Sequence, residues 1–102
     1  MERLNVYVDI DGTICESVGL GYDKATPIQK AIDKVNKMYD QGHVVTLYTA
    51  RGTVTGKNWR FLTQDQLKAW GVKYSELKFG KPDWDIYIGD KAVNATDWRT
   101  LP

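Results

Sequence analysis

The chain has 102 residues, 42% of them apolar and 26% charged, with 14 basic side chains against 13 acidic ones and a formal net charge of +1. That length holds one domain with a core of about four or five strands and a few helices, too little for a second domain. The near-neutral charge offers no bulk attraction for nucleic acid or an anionic membrane, the lone Cys15 excludes an intramolecular disulfide framework, and no apolar run approaches a membrane span. Met1-Glu2-Arg3-Leu4 enters a strand directly, so no signal peptide and a cytoplasmic location are expected.

Residues 4–8 are apolar or aromatic apart from Asn5 and predict a first strand covered on both faces, as in a parallel sheet. Residues 14–23, with Gly19 and Gly21 and no period, predict a loop or small flap. Thr26-Pro27 has the chemistry of a helix start, a hydroxyl cap followed by proline at the first helical position. Ile28, Ala31, Ile32, Val35, Met38 and Tyr39 then recur at helical steps, and Gly42 ends the helix. Residues 44–48 predict a second strand, and 49–57, with Gly52 and Gly56, a loop. A second helix fits 58–70, with Trp59, Leu62, Thr63, Leu67 and Trp70 on one side and Gly71 as its stop. Residues 77–79 predict a third strand, broken by Gly80-Lys81-Pro82, and 86–88 a fourth, ended by Gly89-Asp90. The tail, 91–102, predicts a turn or short helix around Val93 and Trp98.

Strands alternating with helices imply right-handed crossovers and a mainly parallel sheet. Ligands of such sheets bind beyond the carboxyl ends of the strands. The notable polar residues fall at those ends: Asp9 and Asp11 after the first strand, Thr49 and Arg51 after the second, Lys81 after the third, Asp90 after the fourth. Side chains two apart share a face of an extended chain. Asp9 and Asp11 placed so repel, and each raises the other's pKa unless a cation sits between them.

This set resembles the haloacid dehalogenase-like phosphatase superfamily. The motif Asp-x-Asp-Gly-Thr stands at Asp9 to Thr13, a threonine ends the second strand at Thr49, a lysine precedes the last strand at Lys81, and an acid ends it at Asp90. A narrower likeness is to the small capsule-biosynthesis phosphatases, through Thr13-Ile14-Cys15, Gly42-His43, Thr49-Ala50-Arg51-Gly52, Phe79-Gly80-Lys81-Pro82 and Asp90-Lys91-Ala92. That group tends to carry two adjacent acids at the fourth motif, where this chain has Gly89-Asp90, and Asn94 stands where a further acid sometimes follows.

The resemblance implies a three-layer α/β core with strand order 4-1-2-3 and no cap domain, since the cap slot holds only residues 14–25. It implies a Mg²⁺-dependent phosphomonoesterase acting through an aspartyl-phosphate, with a sugar phosphate of surface-polysaccharide synthesis as substrate. Asp9 is then the nucleophile. Asp11 is the general acid and then the general base, with a carboxyl pKa raised by its neighbour. Asp9, Asp90 and the Asp11 backbone carbonyl hold the metal. Thr49 and Lys81 bind the phosphoryl group, together with Gly12, Thr13, Ala50 and Arg51.

Two readings of Arg51 stand side by side: it grips a second anionic or sugar group of the substrate, or it pairs with an acid. Asp83 and Asp85 are candidate partners of Lys81, with Asp85 a third choice for the metal, and Trp84 a candidate wall of the mouth. His43 reads as structural and Cys15 as an inert small residue. A capless site is open, which leads us to expect a homo-oligomer whose 52–57 loop or 14–23 flap completes the pocket. The rival functions are a polynucleotide end phosphatase, which the charge disfavours, and a non-catalytic phosphate-binding or assembly module. A metal-dependent glycosyltransferase needs a longer chain.

Overall fold

In the computed structural model, residues 2–19 and 21–100 are described. In chain order these form β1 (Asn5–Asp9), a two-residue β2 (Cys15–Glu16), a 3-10 turn at Tyr22–Lys24, and β3 (Thr26–Pro27). There follow α1 (Gln29–Asp40), β4 (Val44–Tyr48), α2 (Arg60–Ala69), β5 (Glu76–Lys78) and α3 (Ala95–Thr100). Leu20, within the predicted flap, and Met1, Leu101 and Pro102, at the ends, lie outside the described residues.

β1 and β4 pair in parallel with Asn5 opposite Val44 and Asp9 opposite Tyr48. β4 and β5 pair in parallel with Thr46 opposite Glu76 and Tyr48 opposite Lys78. The order β1-β4-β5 advances in one direction, so right-handed crossovers bring α1 and α2 to the same face. Val6, Val8, Val45, Leu47 and Leu77 share that face by the two-residue alternation. They pack with Ala31, Ile32 and Val35 of α1 and Leu67 of α2 in one core cluster. The periodic face read from the sequence is thus the buried face of α1, and Gly42, at φ +93°, turns the chain out of it. The radius of gyration is 13.3 Å, the value of about 13 Å expected of a compact domain this size.

Three expectations are corrected. Thr26 and Pro27 do not start the helix; they pair antiparallel with Glu16 and Cys15, and the Ile28 amide donates to the Ile14 carbonyl at 2.8 Å. That long-range pairing captures the backbone which a cap would have used, and α1 begins at Gln29 without a side-chain cap. Residues 86–88 do not join the sheet, so the order is 1-2-3 rather than 4-1-2-3 and β1 is an edge strand. Ile86, Tyr87 and Ile88 are 77%, 60% and 91% exposed. After β5 the Lys81 amide donates to the Thr49 carbonyl, and the Tyr87 ring stacks on Trp84 with centroids 4.7 Å apart. The chain is tied to the loop after β4 at Lys81 and does not return to β1. Finally, the described elements make two layers rather than three. The far face of the sheet carries Tyr7, 57% exposed, set edge-to-face on Tyr48, with its hydroxyl accepting from Lys78. The short α3 packs against α1, bringing Trp98 onto the core.

Candidate functional site

A cleft of about 200 Å³ opens at the carboxyl ends of β1 and β4, lined by Asp9, Asp11, Tyr48, Thr49, Ala50, Arg51, Lys81 and Asp83 and by flap residues Ser17, Gly19 and Tyr22. This is where a parallel sheet presents strand-end side chains and unpaired backbone. A larger groove of 660 Å³ lies between α1 and α3, lined by Lys30, Lys34, Lys37, Met38 and Trp98 among others. Lysine is its commonest lining residue, with Asp33 and Thr100 as its acid and hydroxyl, and Lys34 there already donates to the Trp98 carbonyl. The chemistry is concentrated in the smaller cleft.

Asp9 ends β1 with its side chain 43% exposed, and its Oδ1 lies 3.2 Å from Lys81 Nζ. Lys81 is set by its own backbone: its amide donates to the Thr49 carbonyl at 3.1 Å, and its carbonyl accepts from the Thr53 hydroxyl at 2.7 Å. Trp84 flanks the ammonium, 4.1 Å from ring centroid to Nζ. Thr49 is buried, and its Oγ1 accepts from the Arg51 amide at 3.0 Å. A hydroxyl that accepts in this way keeps its own proton to donate into the cleft.

Asp11 faces a different partner. Arg51 Nε donates to Asp11 Oδ2 and Nη2 to Oδ1, both at 2.9 Å, the two-pronged pairing a planar guanidinium makes best. Ser17 adds a hydrogen bond to Oδ1 at 3.0 Å, and the Cys15 thiol another at 3.5 Å. Burial pushes the Asp11 carboxyl up, but the Arg51 fork and these donors outweigh it and hold the pKa below its ordinary 3.8. The expectation of a raised pKa is therefore overturned, because the nearest charge to Asp11 is a cation and not Asp9. Of the two readings of Arg51, pairing with an acid is the one realised; its side chain is 0% exposed.

Other expected site residues take other places. Gly12, at φ +80°, donates its amide to the Cys15 carbonyl at 2.8 Å, and the Thr13 amide donates to the Ile10 carbonyl at 3.2 Å. Their carbonyls accept from Arg99. Both residues build the turn after β1, and their amides point into it and not at a phosphate. Ala50 lines the cleft. Asp90 is exposed, and together with Asp85 it stands apart from the residues lining the cleft, whereas Asp83 is among them. The expected metal set of Asp9, Asp11 and Asp90 is accordingly not assembled, and among the described residues no three acids, histidines or cysteines are grouped to hold a metal. His43 is structural as expected, its Nδ1 accepting from the Leu4 amide at 3.1 Å. Cys15 is buried, and burial and the Asp11 charge push its thiol up to about 12.

Four participants are not singled out as site residues by the sequence, although Ser17 and Tyr22 lie in the expected flap and Thr63 on the expected apolar side of the second helix. Ser17 bonds Asp11, Thr63 and Gln66 accept from Arg51 Nη1 at 3.0 and 2.6 Å, and the Tyr22 ring lies 4.9 Å from the guanidinium carbon. One signal was present: Thr63 is a polar residue on the apolar face of α2, with Gln66 one turn on.

No protein-family model and no curated protein matches the chain. Among solved structures, an MCSG target protein from Vibrio cholerae has the same fold, with a TM-score of 0.84 and 24% sequence identity over 97% of this chain and 89% of that one. The likeness shows that this α/β arrangement is realised in a second sequence.

Proposed function

We propose that the chain is a phosphomonoester hydrolase of the haloacid dehalogenase-like kind, acting through an aspartyl-phosphate at Asp9 on a sugar phosphate of surface-polysaccharide synthesis. The observation that carries the reaction type is the convergence of Asp9, Lys81 and Thr49 in one cleft, with carboxylate and ammonium 3.2 Å apart. A phosphate monoester is anionic and repels a nucleophile, so a site for it needs fixed positive charge and alignment. Lys81 supplies the charge and the Thr49 hydroxyl a donor for a phosphoryl oxygen. The substrate class rests on the sequence resemblance alone.

In the first half-reaction an Asp9 oxygen bonds to phosphorus as the bond to the leaving oxygen breaks, and the alkoxide takes a proton from water. In the second, water attacks phosphorus as the bond from phosphorus to the Asp9 oxygen breaks, its proton passes to Asp11 and on to the hydroxide left by the first step, and phosphate leaves with Asp9 and Asp11 restored. Asp11, held ionised by Arg51, has room for the proton of this base half but is a weak base for it; the acid half inferred from sequence loses its basis in a raised pKa. Mg²⁺ enters the proposal through Asp9, because one carboxylate with waters and the substrate phosphate is the smallest set that ion accepts. When bound it would add positive charge beside the phosphoryl oxygens.

The test is phosphate release from sugar phosphates, para-nitrophenyl phosphate and 5′-phosphorylated oligonucleotides with Mg²⁺, for the wild type and Asp9→Asn. We expect release from the small esters, its loss in Asp9→Asn, and a fall on chelation that Mg²⁺ reverses. Equal release by both proteins would sink the enzymatic reading, and release from oligonucleotides alone would replace the substrate class. Two observations favour a second reading, a non-catalytic phosphate-binding module: Asp11 is locked in its ion pair and Asp90 is away from the cleft. That reading expects inorganic phosphate to bind with no turnover of any ester.

A further inference from the structure

Arg51 is the most heavily bonded side chain in the cleft wall, and aspartyl-phosphate chemistry at Asp9 gives it no task. A guanidinium has five N–H donors and no acceptor. All five are committed. Nε and one Nη2 hydrogen go to the two Asp11 oxygens at 2.9 Å. Both Nη1 hydrogens go to α2, one to Thr63 at 3.0 Å and one to Gln66 at 2.6 Å. The remaining Nη2 hydrogen faces Cys15 Sγ at 3.9 Å. The Tyr22 ring covers one face of the plane. With its side chain 0% exposed and no donor left, Arg51 has nothing to offer a ligand.

Gln66 extends the chain of contacts. Its Oε1 accepts from Arg51, and its Nε2 donates to the Tyr22 carbonyl at 2.6 Å. The amide side chain therefore joins the buried guanidinium to the backbone of the Tyr22–Lys24 turn, which overhangs the cleft. Tyr22 is tied a second time, its ring edge-to-face on Trp59 with centroids 5.1 Å apart. Three segments distant in sequence, the β1 end, the turn and α2, thus meet through one cation.

We propose that Arg51 is a positioning residue: it fixes the Asp11 carboxylate and, through Gln66, the Tyr22–Lys24 turn as a single unit over the cleft, and it does not contact the substrate. A loop lysine cannot replace it, since an ammonium lacks the planar fork that serves both Asp11 oxygens while reaching α2. The unit behaves as one network, so loss of any member loosens the others.

The kinetic consequence rests on the phosphatase reading; the structural one does not. Arg51→Lys and Gln66→Leu are to be compared with the wild type in two measurements. With para-nitrophenyl phosphate as the probe, Arg51→Lys should lower kcat by about 10–100-fold, the scale of a misplaced catalytic group, while KM stays within about twofold. Gln66→Leu, which keeps the Arg51–Asp11 pair, should lower kcat by about three- to tenfold with KM likewise unmoved. A KM that rises about tenfold at constant kcat would make Arg51 a substrate contact and overturn the proposal. In amide hydrogen exchange, both variants should speed exchange in the Tyr22–Lys24 turn by about tenfold and leave β4 unchanged. Unchanged exchange at the turn would overturn the proposal whether or not the protein is an enzyme. If the wild type releases no Asp9-dependent phosphate, the phosphatase reading falls and the exchange measurement alone decides. If Arg51→Lys does not fold, Gln66→Leu decides both arms.

Discussion

Asp11 and Arg51 form the ion pair on which the cleft is most dependent. The guanidinium is fully buried and the carboxylate side chain 24% exposed, so the pair is well shielded from screening by solvent. Among the described residues no buried side-chain nitrogen or oxygen lacks a partner; removing Asp11 would leave a buried cation as the first. We expect Asp11→Ala to cost about 3 kcal/mol in urea unfolding, the low end for breaking a buried pair, because Asp11 keeps some contact with water. The pair also fixes a pH dependence. The folded-state pKa of Asp11 is depressed below 3.8, so the unfolded chain takes up its proton first as pH falls. The stability it contributes is complete above that ordinary value and is lost as pH falls through the lowered one. The stability difference between wild type and Asp11→Asn should therefore be constant near neutrality and shrink below about pH 4. A difference that stays constant down to pH 2 would show that the carboxylate is not held by Arg51. Cys15 beside the pair is a donor to it rather than a nucleophile, its thiol too basic to ionise near neutrality.

At the level of elements, the loop after β4 carries the site and depends on a single glycine. Gly52 has φ +84°, and a Cβ there would fall on the Lys57 carbonyl oxygen. Gly56 has φ +74° with open space around it. Gly52→Ala should cost about 2–4 kcal/mol, combining left-handed strain with a backbone clash, whereas Gly56→Ala should cost only the strain, about 1–2 kcal/mol. Urea midpoints of the two variants test this, and equal costs would mean that the Lys57 backbone moves freely. The elements legible in the sequence were those with long periodic faces. The face read over residues 28–39 became the buried side of α1, with Ala31, Ile32 and Val35 inaccessible, because a helix's apolar stripe is set by its own residue spacing. Thr26 and Pro27 misled because their local capping chemistry lost to β pairing with Cys15 and Glu16, and residues 86–88 because a β-forming triplet needs a neighbouring strand to become one. Thr63 and Gln66 went unread as site residues because their partner, Arg51, is a loop residue 12 and 15 positions away.

For the whole molecule, the parallel sheet gathers the carboxyl ends of distant segments into one cleft, and the flap closes part of it from within the same chain through Ser17, Gly19 and Tyr22. Several large apolar side chains stay uncovered: Ile86, Tyr87, Ile88 and Val93 in the segment after Lys81, and Tyr7 on the open face of the sheet, all more than half exposed. Exposed apolar side chains mark an interaction site where they join into one patch. We propose a homo-oligomer and expect light scattering to give a mass above that of one chain at tens of micromolar concentration. A monomer with full activity would overturn this. No helix among the described residues is long and apolar enough to cross a membrane.

By itself the sequence determined the alternation of strand and helix, the parallel sheet it implies, and the delivery of Asp9, Thr49 and Lys81 to strand ends. These follow from residue spacing and from glycine and proline breaks, which act over a few positions and hold where no long-range pairing competes, as one did at Thr26 and Pro27. Only the tertiary structure decided which charge meets which. Arg51 reaches Asp11 across 40 positions, Gly12 and Thr13 turn their amides inward, and Asp90 stays outside the cleft with the segment that carries it. A carboxylate's protonation, and with it its part in a reaction, depends on the cations and donors within a few ångströms and on how far water is excluded. Those are distances through space, and the spacing of residues along the chain does not contain them.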